Sequence, residues 1–352
     1  MHQLSKKIKV AVDAMGGDYA PQEIIRGAVM AAKKGNVAIT LVGHEAIVER
    51  ELAKYDVSHL PLDYVSADEV IREDEHPALA LRHKPNASIA VATALAKEGE
   101  ADAVVSAGPT GATMASAVMS IGLIPGIQRP VVCAPLVGFA PHTVLVDVGA
   151  NVDCNPNHLL SFAVIGCSYA KKLLNIAHPK VALLSVGTEE GKGSKLTQAS
   201  YPLLESSNLD FIGNIEGGDI LSGKANVIVC DGIIGNVILK FYENMGPYIV
   251  RWLKDRLGNL PLLGPIKKVL NHMVSFTKMV EDESGCGGLL WGVNSVVQVL
   301  HGNSQAQQVS KAIERAKFAV ESELVSYLTS ELAKVTNKHD ITLNESISTP
   351  KI

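Results

Sequence analysis

Short apolar runs, each broken by glycine, aspartate or asparagine and followed by a helical rhythm, recur through most of the chain. The apolar runs at residues 8–14, 37–42, 62–65, 103–105, 131–136, 142–146, 181–186, 211–216, 227–230 and 293–300 have strand length and are rich in Val, Ile and Leu. Between them the 3.6-residue spacing predicts helices at 22–34, from 44 through Lys54, 89–98, 112–119, 159–173, from Val237 onward, and 306–334. Pro21 suits the first turn of the first helix, and Asn86-Ala87-Ser88 reads as a cap for the 89–98 helix. Strand, polar loop and helix in repeated order predict right-handed βαβ units, hence a mostly parallel sheet with helices on both faces.

In such sheets ligands bind beyond the carboxyl ends of strands, so the loops are where chemistry is sought. The first strand ends in Asp13-Ala14-Met15-Gly16-Gly17-Asp18, a turn that lets a ligand approach closely. Ser106-Ala107-Gly108-Pro109-Thr110-Gly111 leads into a helix and offers backbone N–H groups at its positive end, a place for phosphate or another anion. Its spacing fits neither the Rossmann fingerprint nor the Walker loop. Arg82, His83 and Lys84 precede a helix start at Ser88, where cations are unfavourable unless an anion lies between them. Asp147, Asn151 and Asp153 follow one apolar strand, Gly187, Glu189 and Lys192 another, Asp231 and Asn236 a third, and His301 a fourth. Asx residues also form ordinary turns, and a lone histidine is often structural.

Residues 245–280 break the pattern. Ile249, Trp252, Leu253 and Leu257 share one helical face, and a second helix carries Ile266, Val269, Leu270, Met273 and Val280. Between them Gly258 to Pro265 places Leu260, Leu262 and Leu263 in a turn. Arg251, Lys254, Arg256, Lys267, Lys268 and Lys278 stand against the single acid Asp255. A basic amphipathic hairpin with an apolar tip suits an anionic membrane surface or an acidic partner; an ordinary helix pair or a dimer contact is the plainer alternative. Trp252, Leu253, Leu260, Leu262, Leu263, Lys267 and Lys268 are the expected contacts.

Composition narrows the class. With 352 residues, 47% hydrophobic and 19% charged, the chain can bury a large core, and aromatics at 5% leave that core to aliphatic side chains. The net charge of -4 counts against a general nucleic-acid binder. Cys133, Cys154, Cys167, Cys230 and Cys286 are scattered and odd in number, which predicts reduced thiols in a cytoplasmic protein and neither disulfides nor a zinc site. The first residues are too polar for a signal peptide. A single α/β domain over 1–335 is expected, with 245–280 inserted and 336–352 a disordered tail.

Read together, AVDAMGGD (11–18), SAGPTGA (106–112), DVGANVD (147–153), SVGTEEGKG (185–193), DGIIGNVILK (231–240) and VLHGNS (299–304) resemble the bacterial phosphate acyltransferase family over about residues 8–330. Family members write asparagine where Pro109 stands, and the chain also departs at Ala87, Gly218, Ile234 and the 286–289 turn. The resemblance implies a three-layer α/β/α sandwich like isopropylmalate dehydrogenase and phosphotransacetylase, working as a homodimer peripherally attached to the membrane. It implies transfer of an acyl group from acyl-ACP to inorganic phosphate, without cofactor or metal, supplying acyl-phosphate for phospholipid synthesis, and contact with the membrane glycerol-3-phosphate acyltransferase.

On that reading backbone groups around Gly108, Thr110 and Gly111, with Ser106 and Ser88, hold phosphate. His301 polarises the carbonyl or protonates the departing thiolate, Lys84 contacts the anion, and Asp231 and Asn236 act beside them. Asp13, Gly16, Gly17, Asp18, Asp147, Asn151, Asp153, Gly187, Glu189 and Lys192 shape the pocket. A small-acyl phosphotransacetylase, an NAD-dependent decarboxylating dehydrogenase and a non-catalytic acyl-ACP or lipid sensor are the competing readings. The dehydrogenase would require an adenine site with a glycine fingerprint, and the sequence has none.

Overall fold

Central strands of this protein are apolar on both faces because helices cover both. In β1 (Lys9–Asp13) Val10 and Val12 enter one core cluster and Ala11 another, all fully buried. This is the period-two alternation of a strand. The computed structural model describes residues 7–257 and 264–334. In it β1 pairs in parallel with β2 (Ala38–Gly43) and β4 (Ala103–Ser106); β2 carries β3 (Leu62–Ser66), and β4 carries β11 (Val296–Val299). A second parallel block holds β6 (Ala140–Val146), β9 (Val227–Val229), β7 (Lys180–Leu184) and β8 (Asp210–Ile215). Two strands splice the blocks: β10 (Gly288–Trp291), antiparallel to β11, and β5 (Val131–Leu136), antiparallel to both β10 and β6. The eleven strands form one sheet in the order β3-β2-β1-β4-β11-β10-β5-β6-β9-β7-β8. The expected mostly parallel sheet is therefore two parallel blocks running in opposite directions.

Helices α1 (Gln22–Lys33) and α10 (Ala306–Glu321) pack on each other over one face of the first block. Helices α4 (Ser88–Lys97) and α5 (Thr110–Ser116) cover the other face. On the second block α6 (Pro156–Leu173) fills one side with Phe162, whose burial contributes about 1.5–3 kcal/mol. Helices α8 (Gly232–Leu257) and α9 (Gly264–Ser284) contribute Tyr242 and Val280 to the opposite core cluster. The remaining helices are α2 (Glu45–Leu52), α3 (Pro77–His83) and α7 (Lys195–Glu205).

Four expectations need correction. The single strand at 293–300 is the β10–β11 hairpin: the first strand starts at Gly288, with Gly288, Leu289 and Leu290 paired to Val299, Gln298 and Val297, and residues 292–295 form the connection. Helix α8 starts at Gly232, five residues before Val237, because Asp231 caps it: Asp231 Oδ1 accepts the Ile234 N–H at 2.9 Å. The helix expected over 306–334 breaks after Glu321, where Glu323 adopts φ 52°, and resumes over 324–334. At the start of α4 the cap position is Ala87, which supplies no side-chain acceptor. Residues 336–352 lie outside the described residues.

Candidate active site

The loop after β1 and the loop after β4 are tied together by one buried carboxylate. Asp13 is 2% exposed. Its Oδ2 accepts the Ser106 hydroxyl at 2.7 Å, and its Oδ1 accepts the Met15 N–H at 3.2 Å. Ser106 Oγ in turn accepts the Gly108 N–H at 3.0 Å. Burial pushes the Asp13 carboxyl above the ordinary range, against the lowering effect of Ser88 and Ser106. Gly16 makes the approach possible: a Cβ there would sit 2.6 Å from both Asp13 Oδ2 and the Gly108 nitrogen. The loop after β11 joins the same junction, since the Asp18 N–H donates to the Gly302 carbonyl at 2.8 Å and Gly17 (φ +108°) packs beside it. The Gly108 N–H is thus spent inside the loop. The N–H groups of Thr110 and Gly111 belong to the first turn of α5, where no intrahelical acceptor exists.

A second junction stands across the sheet. Asp147, fully buried, accepts from Val132 N (3.2 Å), Ala150 N (3.1 Å), Asn151 N (2.6 Å) and Asn151 Nδ2 (3.0 Å). Burial raises its carboxyl as well, and these donors lower it only in part. Asn151 Nδ2 also donates to the Pro130 carbonyl, and the Gly232 N–H donates to the Asn151 carbonyl at 2.8 Å. The start of α8 is thereby seated on the loop after β6, with Asn236 facing Gly149.

Between the junctions lies a cleft of about 260 Å³. Thr110, Asn236 and His301 line it, so the structure brings together three of the residues singled out from sequence. Its apolar wall includes Val132, Ala134, Val137, Val148 and Leu239. Its charged lining was not anticipated: Lys240 and Glu243 from α8, Glu283 from α9 and Arg315 from α10. Lys240 Nζ is 3.1 Å from Glu243 Oε2, and Glu243 Oε1 is 3.7 Å from His301 Nε2. Arg315 pairs with Glu283, whose other oxygen is 3.7 Å from Lys311.

Other candidates stand elsewhere. Lys84 Nζ donates to Glu75 Oε2 at 2.7 Å and to the Val70 carbonyl at 2.9 Å, so it reaches an anion only by exchanging Glu75. Ser88 is buried beside Asp13. Asp231 serves as the α8 cap and does not line the cleft. Asp18, Asp153, Glu189 and Lys192 are exposed, and Gly187 packs against the last two. On α8 and α9, Trp252 is 58% exposed, Leu253 half-buried and Lys268 exposed; Arg256 lies over the Trp252 ring. Leu260, Leu262 and Leu263 lie outside the described residues, as does the side chain of Lys267. Among the described residues no helix is long and apolar enough to cross a membrane.

The three-layer sheet with its spliced blocks defines the phosphotransacetylase class of fold. A phosphotransacetylase from Streptococcus pyogenes superposes with a TM-score of 0.61 at 20% identity, over 91% of this chain and 95% of that one. The chain itself belongs to the phosphate acyltransferase family: the family model described as "Fatty acid synthesis protein" matches residues 8–327. The phosphate acyltransferase of Desulforamulus reducens is 45% identical over 318 residues, 90% of this chain and 95% of the relative. That of Pelotomaculum thermopropionicum is 43% identical over 333 residues, 94% and 97% of the two chains.

Proposed function

We propose that the cleft transfers a fatty acyl group from the thioester of acyl-ACP to inorganic phosphate, giving acyl-phosphate and free ACP for glycerol-3-phosphate acylation in phospholipid synthesis. The observation that carries this reading is the meeting of Thr110, Asn236 and His301 with an apolar wall in one cleft. Phosphate is already a nucleophile, so no covalent enzyme intermediate is needed. A phosphate oxygen adds to the thioester carbon, the new C–O bond forms as C–S breaks, and the thiolate takes up a proton.

The chain's contribution is placement and charge stabilisation. Holding phosphate on the Thr110 and Gly111 amides, with the Thr110 hydroxyl beside them, supplies part of the ~7–11 kcal/mol that ideal positioning can give. A donor to the developing oxyanion, from Asn236 or His301, is worth about 3–4 kcal/mol. Asp13 and Asp147 hold the two loops rather than touch substrate, because both are buried under their own donors. The apolar wall receives the start of the acyl chain.

We infer also that the protein works as a homodimer on an anionic membrane surface, within reach of the glycerol-3-phosphate acyltransferase. The support is an uncovered apolar stripe on α8, made by Ile233, Val237, Phe241, Tyr248 and Trp252, beside Arg251, Lys254 and Arg256. Trp252→Asp should release the protein from anionic liposomes without lowering its Tm; unchanged flotation would refute that contact.

The deciding assay uses purified protein, palmitoyl-ACP and labelled phosphate. Acyl-phosphate and free ACP thiol should appear together. Bound but intact acyl-ACP would point to a sensor, and turnover of acetyl-CoA alone to a small-acyl enzyme.

A further inference from the structure

Glu243 lines the cleft, yet nothing in the acyl transfer described above uses it. Its side chain is 13% exposed, and removing a carboxylate from water is unfavourable unless partners compensate. Burial pushes its carboxyl up, but His301 and Lys240 outweigh that and hold it below the usual range. Glu243 is therefore ionised at neutral pH, and an ionised carboxylate only accepts. The ring atom of His301 that faces it at 3.7 Å is Nε2. That is the distance of an ion pair, of the kind that tightens when substrate fills a site. The other charged groups of the cleft are engaged elsewhere: Glu283 is held by Arg315 and Lys311.

We propose that Glu243 is the positioning residue of His301: its carboxylate accepts the Nε2–H of the protonated ring, fixes the plane of the ring, and leaves the Nδ1–H to donate to the developing oxyanion or the departing thiolate. This rests on the reading of His301 as the group that meets the carbonyl or the departing thiolate. Lys240, at 3.1 Å from the second carboxylate oxygen, keeps Glu243 from rotating away. Position 243 lies two turns of α8 beyond Asn236, so one helix seated on the Asp147 junction sets both the cleft amide and the orienter of the histidine.

The test is a double-mutant cycle in the full chain, read by acyl-phosphate formation. Glu243→Gln should lower kcat about tenfold while KM for phosphate and for acyl-ACP stay within about twofold. His301→Ala should lower kcat about 100-fold, and adding Glu243→Gln to it should cause no further loss. Glu243→Asp, which keeps the charge on a shorter stem, should recover part of the rate and controls for folding together with Tm. An equal loss in both backgrounds, or full activity of Glu243→Gln, would overturn the positioning role. Wild-type turnover by His301→Ala would instead remove the histidine reading beneath it.

Discussion

Replacing Gly16 with alanine tests how the two strand-end loops hold the cleft. The new Cβ would lie 2.6 Å from Asp13 Oδ2, 2.6 Å from the Gly108 nitrogen and 2.8 Å from the Gly108 Cα. Two of these are backbone atoms, so no side chain can swing aside to relieve the crowding. Ordinary contact begins at 3.4 Å, so the loops must part by about 0.8 Å. Overpacking of this kind costs about 1–3 kcal/mol. Parting the loops also strains the Ser106 contacts to Asp13 and Gly108, now 2.7 and 3.0 Å, each worth about 1 kcal/mol. A net destabilisation of about 2–4 kcal/mol follows from these two contributions.

Activity should fall further than stability alone explains, because Thr110 rides on the displaced loop. A shift near 1 Å in a positioning group costs about 100-fold in rate. Urea titration gives the first quantity, and kcat/KM for phosphate, measured where the variant is fully folded, gives the second. Gly218→Ala, where the added Cβ meets open space, is the control. Stability within about 0.5 kcal/mol of the parent together with unchanged kcat/KM would refute the reasoning.

Asp13→Asn should flatten the acid side of the stability profile. Burial raises the folded carboxyl above the ordinary aspartate value of 3.8, so between that value and the folded pKa the native state binds more protons and stability falls as pH rises. Urea midpoints across that window should show a smaller fall in the variant; an unchanged slope would assign the effect to Asp147, which shifts in the same direction. Lys84→Ala should change stability by less than about 1 kcal/mol, as suits a partly exposed ion pair, while raising KM for phosphate; an effect confined to acyl-ACP would move Lys84 to the carrier site. Cys230→Ala should keep near-normal turnover, since burial pushes its thiol well above the ordinary value and it reads as a strand-end hydrophobe; loss of activity with an intact fold would restore it as a nucleophile.

The strands were legible because central parallel strands must be apolar on both faces, as Val10, Ala11 and Val12 are. The start of β10 was hidden because Gly288 directly follows a glycine-bearing turn and reads as part of it until its pairing with Val299 is seen. The break at Glu323 carries neither glycine nor proline, so its sequence gives no warning. In the site, Thr110, Asn236 and His301 stood out because they follow strands in short polar loops. Lys240, Glu243, Glu283 and Arg315 did not, because charged positions at helical spacing look like a solvated face. Only tertiary packing turns those faces inward. The buried carboxylates were visible as loop residues, but their role as tethers depends on donors distant in sequence, such as Ser106 for Asp13.

The splice in the sheet also constrains how the chain assembles on a ribosome. Strand β4 is made early, yet its outer neighbour is β11, Ala103 to Ser106 pairing with Val296 to Val299. Until those late residues emerge, β4 presents an unpaired edge, and α1 lacks α10 on its flank. The first block therefore stays open while the whole second block is synthesised. Non-local pairing of this kind slows folding and leaves a template for wrong pairing. A chain stalled before residue 296 should be a client for chaperones rather than a half-enzyme, because β4 gains its outer partner, and Ser106 the Leu300 N–H on its carbonyl at 2.8 Å, only when those late residues arrive.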